Sequence, residues 1–226
     1  MAAFKWPSLA RNVSGKFDYY TLALSWSPTH CASKAGRGDN LQCGPGRKYT
    51  FVVHGLWPQH RSGWPDFCAT SERYVPNVLI EEMLPIMPSK RLVVHEWRKH
   101  GTCSGLSQEH YFSLTRELFS RLQVPARYIA PAHTVEITPS TLREDFLKTN
   151  NWLKPEMISI QCGNSRDRGV LRGVRVCFGR NLQPAAPTKR GSAAPAHWFC
   201  HQYGNRQSVG EGKCFLQRAA GRKLVQ

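Results

Sequence analysis

Residues 95–103 have the sequence HEWRKHGTC, which places two imidazoles, one carboxylate and one amine within six residues. Residues four apart lie on the same face of a helix, so His95 is expected beside Lys99 and Glu96 beside His100. A compact patch of acid/base groups and a cation suits proton transfer next to a developing anion. The segment therefore predicts a catalytic patch on a helix over residues 91–100.

Another histidine motif lies upstream, in the sequence FVVHGLWP of residues 51–58. In chain order it is the first motif, and residues 95–103 are the second. Residues 49–54 are rich in β-branched and aromatic side chains and are predicted to form a strand. Gly55 and Pro58 interrupt this pattern, so the strand is predicted to end at His54. A histidine at a strand end and a second one on a helix can approach one substrate group from two sides.

A zinc site in the helical segment is the first alternative, since the two histidines and the carboxylate resemble a zinc-protease helix. That helix needs its histidines at i and i+4, on one face. His95 and His100 are five residues apart, which rotates them by roughly 140° in a helix of 3.6 residues per turn. Lys99 between them would also repel a cation. A zinc hydrolase is therefore disfavoured, and neither a metal ion nor another cofactor is expected.

The remaining elements predict the fold class. Alternating or β-branched segments indicate further strands at 17–26, 157–162, 170–178 and 214–216, of which 157–162 and 170–178 form a hairpin. Helices are predicted at 107–122 and 140–150, together with a broken helix over 71–87. Residues 27–47 and 183–196 are predicted loops. We predict an α+β fold, with a central, mostly antiparallel sheet and several flanking helices in a single disulfide-bridged domain.

Composition narrows the class of partner. The chain has 226 residues, 41% of them hydrophobic, and a formal charge of +16, from 31 Lys and Arg against 15 Asp and Glu. Such a surplus favours RNA, DNA or an anionic surface as the partner, although a basic protein whose charge only keeps it soluble remains the alternative.

No apolar run approaches the ~18 residues of a membrane span, so no membrane association is expected. Residues 1–12 lack the apolar stretch of a signal peptide, and we expect either a mature chain with a new start or a gene model without its leader.

The cysteines predict where the protein resides. Their even number and wide spacing, with no CxxC pair, favour four disulfides and an oxidising compartment, either periplasmic or extracellular. Eight cysteines can pair in about a hundred ways, so spacing alone does not fix the partners. The eight are Cys31, Cys43, Cys68, Cys103, Cys162, Cys177, Cys200 and Cys214.

The two histidine motifs resemble, in order and spacing, the two active-site segments of the ribonuclease T2 family, in a bacterial-type member. The resemblance runs from about Phe17 to Phe215, with residues 1–16 as an N-terminal extension and 17–226 as the catalytic domain. It implies a secreted or periplasmic endoribonuclease that cleaves single-stranded RNA with low base specificity. The 2′-OH would attack, giving a 2′,3′-cyclic phosphate and then a 3′-phosphate. DNA, which lacks that hydroxyl, would not be cleaved. A monomer is expected.

The resemblance also implies roles for individual residues. His54 and His100 would form the acid/base pair, and His95 would contact the phosphate. Glu96 and Lys99 would lie beside the pentacovalent phosphorane. Two imidazoles that titrate near ~6.5 suit a reaction that needs one base and one acid on opposite sides of phosphorus. Lys99 would offset charge on the equatorial oxygens.

Base recognition and disulfide pairing follow from the same resemblance. Trp57 would stack on a base and Gln59 would contribute to the same subsite, although many relatives have Asp in place of Gln59. Residues 92–94 are aliphatic where relatives often carry aromatics, which predicts a thinner second base site. The implied disulfides are Cys31–Cys43, Cys68–Cys103 and a nested set of Cys162–Cys214 around Cys177–Cys200. A catalytically silent RNA-binding or toxin-like protein on the same fold is the alternative, and the intact set of five site residues argues against it.

Overall fold

The computed structural model describes residues 12–129, 131, 133–163, 169–182 and 214–216, and this part contains six strands and six α-helices. The strands are β1 (Tyr19–Trp26), β2 (Phe51–Gln59), β3 (Val135–Ile137), β4 (Ile158–Cys162), β5 (Leu171–Gly179) and β6 (Cys214–Leu216). The helices are α1 (Ser27–Ala32), α2 (Asn40–Cys43), α3 (Asn77–Met83), α4 (Lys90–Lys99), α5 (Gln108–Ser120) and α6 (Pro139–Thr149). Single-turn 3-10 helices span Ala35–Gly38, Gly101–Cys103, Ala126–Tyr128 and Pro155–Met157.

Four strands form the main sheet in the order β2-β1-β5-β4, and every neighbouring pair is antiparallel. β4 and β5 form the predicted hairpin. β6 was predicted as a strand, and it pairs with β3, which the sequence did not indicate, in a separate two-stranded sheet. The predicted class, α+β with an antiparallel central sheet and flanking helices, is confirmed.

The prediction that the second strand ends at His54 is wrong, because β2 continues to Gln59. Pro58 is tolerated because β2 is an edge strand of the sheet. The outer side of an edge strand has no neighbouring strand, so a missing backbone N–H there costs no hydrogen bond between strands. His54 therefore lies in the middle of a strand. A break in the register between β1 and β2 occurs at this residue.

The helix predictions hold with shifted ends. α5 begins after Ser107, whose hydroxyl accepts a hydrogen bond from the His110 backbone N–H. α6 is capped by Thr138, and Pro139 occupies its first position. The broken helix predicted over 71–87 is reduced to α3. The predicted loop over 27–47 instead contains α1 and α2.

One face of the main sheet packs on the helices. Leu22, Leu24 and Val53 point into this core, where α4 contributes Val93 and Trp97. Trp97 is buried, and its indole N–H donates to the Glu72 carbonyl. α5 adds Tyr111, whose hydroxyl donates to the Leu56 carbonyl of β2 at 2.8 Å. This packing fixes α4 and β2, the elements that carry the two motifs, relative to each other.

Three disulfides are present among the described residues: Cys31–Cys43, Cys68–Cys103 and Cys162–Cys214. They match three of the pairings that the resemblance implied. Cys200, the expected partner of Cys177, lies outside the described residues, as do residues 1–11 and the predicted loop over 183–196. Cys103 is the last residue of the second motif, so its bridge ties the end of that motif to Cys68.

The last residues of the predicted N-terminal extension contact the second motif. The Ser14 hydroxyl donates to the Thr102 carbonyl at 2.8 Å, and the Gly15 N–H donates to the Cys103 carbonyl at 3.0 Å. The division into an extension and a catalytic domain stays a prediction. No helix in the described part of the chain is both long and apolar enough to cross a membrane.

Candidate active site

His54 occupies a β-bulge. Ala23 of β1 pairs with Gly55 and the next residue, Leu24, pairs with Val53, so His54 is the extra residue of β2. A bulge redirects a side chain and is frequent next to active sites. Here the His54 ring lies within 3.1 Å of the Ser25 hydroxyl through Nδ1, on the face of the sheet opposite the core. The His54 side chain remains 44% exposed, so the ring borders the open cleft.

Glu96 forms the floor of the site. It projects from α4, is 1% exposed, and accepts a hydrogen bond from the Trp57 indole N–H at 2.7 Å on Oε2. Its second oxygen, Oε1, lies 3.5 Å from His54 Nε2. Gly55 makes this approach possible, because a methyl group at position 55 would lie 2.6 Å from Trp57 Nε1 and 2.8 Å from the Glu96 carboxyl carbon.

α4 places the other motif residues around this floor. Ser89 caps the helix by accepting from the Leu92 N–H, and the helix ends at Lys99. His100 follows at the C-cap, is 5% exposed, and its ring centre lies 5.3 Å from that of Trp57. Lys99 is half-buried and His95 is exposed, with the Phe67 ring 6.5 Å from the His95 ring. The structure therefore brings His54, Glu96 and His100 together around Trp57, with His95 and Lys99 on the open side.

Burial dominates the electrostatics of the two central histidines. It lowers the pKa of His54 to about 4, and the charges of His95, Arg175, Lys99 and His30 add to this effect. Burial also lowers the pKa of His100 to about 3, with Lys99 the largest of the neighbouring charges. His100 Nδ1 is buried and has no hydrogen-bond partner within the described ranges, so no hydrogen bond at this nitrogen stabilises the protonated ring there.

Glu96 shifts in the opposite direction. Burial raises its pKa to about 8, against the smaller opposing effects of the Trp57 hydrogen bond and Lys99. An ion pair would raise the pKa of His54 and lower that of Glu96, whereas both groups move the other way. The contact of 3.5 Å therefore joins two neutral groups near pH 7, since desolvation outweighs their attraction.

The two predicted base-contacting residues occupy different surroundings. Trp57 is half-buried, and its contacts are with Glu96, His54, His100 and Arg175, so stacking on a base stays a prediction. Gln59 is 5% exposed, and its amide donates to the Pro58 carbonyl at 3.1 Å. In this structure Gln59 is therefore enclosed, because register places it two residues beyond Trp57 on a packed strand.

Sequence analysis missed two residues of the site, Ser25 and Arg175. Ser25 was indicated only as part of a strand, yet it holds His54 Nδ1. Arg175 lies on β5, and its guanidinium carbon is 5.2 Å from the centre of the Trp57 ring. The available signal was a charged residue flanked by Val174 and Val176 in the mostly apolar second half of the strand.

A possible metal-binding group among the described residues lies elsewhere. Donor atoms of His30, Asp39 and Cys43 are within 4.8 Å of one another. Cys43 is bonded to Cys31, so its sulfur is not a free thiolate, and His30 Nε2 contacts the Asp39 carboxylate at 3.1 Å. The disulfide and this polar contact hold α1 and α2 together, which is a structural role.

Residues 17–186, about three quarters of the chain, match the model of the ribonuclease T2 family. "Ribonuclease" of Aeromonas hydrophila is 48% identical over 118 residues, which are 52% of this chain and 52% of that protein. "Probable ribonuclease" of Haemophilus influenzae is 40% identical over 129 residues, or 52% of this chain and 47% of that protein. The chain thus spans about half the length of these two curated relatives.

A solved structure shares the fold. The RNase-related protein from Calystegia sepium superimposes with a TM-score of 0.61 at 25% identity, covering 80% of this chain and 95% of that one. Both motifs fall inside the segment matched by the family model, which runs from the first strand to beyond β5.

Proposed function

Because the chain belongs to the ribonuclease T2 family, we propose that it is a metal-independent endoribonuclease acting on single-stranded RNA. The 2′-OH attacks the adjacent phosphorus and the 5′-oxygen leaves, giving a 2′,3′-cyclic phosphate that water then opens to a 3′-phosphate. One observation carries the proposal: two imidazoles from different elements, His54 and His100, both lie against the Trp57 ring, whose indole N–H donates to the buried carboxyl group of Glu96.

The two imidazoles supply the proton transfers. One must be neutral to take the proton of the 2′-OH, and the other must be protonated to give a proton to the 5′-oxygen. Their lowered pKa values leave both largely neutral in the free protein above about pH 5. A bound phosphate brings negative charge next to them and favours protonation of one ring. RNA itself therefore promotes the protonation state that the reaction needs.

Lys99, His95 and Glu96 act on the phosphorane. Lys99 is close enough to lower the pKa values of Glu96 and both histidines, so its ammonium stands beside the reacting group. It offsets charge that builds on the equatorial oxygens. His95, exposed at the mouth of the site, contacts the phosphate. Glu96 holds its proton up to about pH 8, so it can donate a hydrogen bond to a phosphoryl oxygen without repelling it.

The substrate range follows from this chemistry. Attack by the 2′-OH excludes cleavage of DNA. Base specificity is low, because Gln59 is enclosed and the catalytic residues address the phosphate and sugar. The formal charge of +16 favours the polyanion over other partners, and affinity should fall steeply with salt as counterions are released. The chain acts as a monomer.

The disulfides point to the compartment. Three bridges in the described part of the chain indicate an oxidising environment, so the protein is periplasmic or secreted. Reduction under native conditions should release the Cys68–Cys103 link next to the second motif.

The test is cleavage of single-stranded RNA in EDTA, with analysis of the new ends. Cyclic-phosphate ends are expected to appear first and 3′-phosphate ends later, while the matching DNA stays intact. His54→Ala and His100→Ala should each remove nearly all cleavage. Loss of activity on chelation would contradict the metal-independent mechanism and favour a zinc hydrolase. Equal, mild losses in both variants would mean that the site is misassigned.

The competing candidate is a catalytically silent RNA-binding or toxin-like protein on the same fold. RNA retained uncut between pH 5 and 7 would favour it. A panel of the sixteen dinucleoside phosphates then measures base preference for an active enzyme.

A further inference from the structure

We propose that Arg175 is a positioning residue of the active centre, which acts by packing on the Trp57 ring and thereby holding the indole N–H that anchors Glu96. The role rests on the proposed ribonuclease function for its kinetic consequence, although the contact itself does not. Arg175 comes from β5, a strand that contains neither histidine motif. The site therefore uses side chains from the strands β1, β2 and β5 and from the helix α4. The two histidine motifs alone would use only β2 and α4.

Sheet register brings Arg175 to this face. Arg175 pairs with Ala23 of β1, and Ala23 pairs with Gly55 of β2, so the three side-chain positions form one row across the sheet. Trp57 lies in the next row on the same face, opposite Thr21. Paired residues point to the same side of a sheet, and diagonal neighbours come within reach of long side chains.

Small residues leave the space that Arg175 uses. In the row that contains Arg175, the neighbour on β1 is Ala23, which has only a methyl group, and the next residue, on the edge strand β2, is Gly55, which has no side chain. A long side chain can therefore cross β1 and reach β2. The guanidinium carbon arrives 5.2 Å from the Trp57 ring centre, within the range of a cation–π contact. A planar guanidinium covers an aromatic face better than a compact ammonium does.

Trp57 transmits this contact to the reacting groups. Its indole N–H donates to Glu96 at 2.7 Å, and its ring centre lies 5.3 Å from that of His100 and 5.6 Å from that of His54. A tilt of the indole therefore moves the anchor of the carboxylate and the wall behind both imidazoles. Arg175 itself is partly buried and close enough for its charge to lower the pKa of His54.

The experiment compares three variants. Arg175→Met removes both the charge and the planar group, and Arg175→Lys keeps the charge alone. Arg180→Met is the matched control, because Arg180 is exposed, lies just beyond β5, and places its guanidinium 4.7 Å over the ring of Phe17, away from the site. It removes one cation and one cation–π contact without touching Trp57.

The first measurement needs no RNA. The indole N–H of Trp57 is followed by ¹⁵N–¹H NMR among the seven tryptophans, and Trp57→Phe identifies its signal. We expect this signal to shift and its exchange with water to accelerate in Arg175→Met, while Arg180→Met leaves it unchanged. An unchanged Trp57 signal in both Arg175 variants would overturn the proposal. If Arg175→Met does not fold, the Trp57 signal of Arg175→Lys alone decides whether the proposal holds.

The second measurement separates positioning from substrate binding. Misplacement of Glu96 should lower kcat by roughly ten- to a hundredfold with KM changed less than about threefold, and Lys should not restore it. A raised KM with unchanged kcat, rescued by Lys, would make Arg175 a phosphate ligand and overturn the positioning role. Absence of ribonuclease activity in the unmutated protein would refute the proposed function, while the NMR result would still decide the contact.

Discussion

Gly55→Ala tests the geometry of the site with a single methyl group. Gly55 has an ordinary backbone conformation, so alanine introduces no strain in φ and its effect comes only from space. The methyl carbon would lie 2.8 Å from the Glu96 carboxyl carbon and 2.6 Å from Trp57 Nε1, and closer still to Glu96 Oε2. Ordinary contact begins at 3.4 Å, so the carboxyl carbon must retreat by about 0.6 Å and the oxygen by more.

The cost follows from what surrounds these groups. Glu96 is 1% exposed, so neither it nor the indole can move into solvent freely. Forcing a methyl group into a packed site costs about 1–3 kcal/mol. Loss of the 2.7 Å hydrogen bond from Trp57 adds about 1 kcal/mol for a neutral acceptor. We therefore expect Gly55→Ala to lower the free energy of unfolding by about 2–4 kcal/mol. A displacement near 1 Å should lower kcat by roughly a hundredfold.

The assays are urea unfolding and steady-state cleavage of a dinucleoside phosphate. Gly38→Ala is the control, because a methyl group there meets no atom within 4 Å, and it should change neither quantity. Glu96→Asp shortens the side chain and should return part of the lost stability in the double variant with Gly55→Ala. A Gly55→Ala protein that is as stable and as active as the parent would refute the contact between Gly55, Glu96 and Trp57.

Three further predictions concern charge. The value of kcat/KM should fall as pH rises from about 5 to 7, because one imidazole must carry a proton. Burial lowers the pKa of His54 to about 4 and that of His100 to about 3, so the protonated fraction falls across this range. A flat pH profile would contradict this. Glu96→Gln should gain stability relative to the parent between pH 5 and 8. The folded pKa of about 8 exceeds the unfolded value of 4.5, so the parent loses up to about 1.4 kcal/mol per pH unit in that window, as urea unfolding across pH would show. Lys99→Ala should lower kcat by roughly a hundredfold or more yet leave measurable cleavage, whereas Arg98→Ala, exposed on the same helix, should lose less than about threefold.

Much of the architecture is visible in local patterns. Alternating residues identify β1 and the β4–β5 hairpin, and Ser107 marks the start of α5 because a hydroxyl there satisfies a free N–H. The helix over the second motif is predictable from its four-residue spacing. It forms despite Val93 and Val94 because Ser89 caps it and Val93 packs in the core. These features depend on neighbours in sequence.

The features that escaped prediction depend on neighbours in space. Gly55 and Pro58 resemble strand breakers, yet β2 continues through both. Pro58 is tolerated because β2 is an edge strand, and Gly55 is needed because a side chain there would collide with Glu96 from another element. The bulge at His54 is a property of its register with β1, which no local pattern encodes. Arg175 is recognisable as a site residue only once the strand order is known, in which β1 alone separates β5 from β2.

Burial links these spatial features to the chemistry. The same enclosed cleft lowers the pKa of two bases and raises the pKa of an acid, so the site without RNA holds neutral His54, Glu96 and His100 beside the cations of Lys99 and Arg175. Glu96 retains its proton below about pH 8, so this carboxyl group does not repel a phosphate that enters the cleft. The charge of the phosphate then stabilises a proton on one imidazole, since an anion in a poorly solvated site favours the charged form of a neighbouring base. The pH dependence of kcat should therefore lie at higher pH than that of kcat/KM, because the former reports the complex and the latter the free protein.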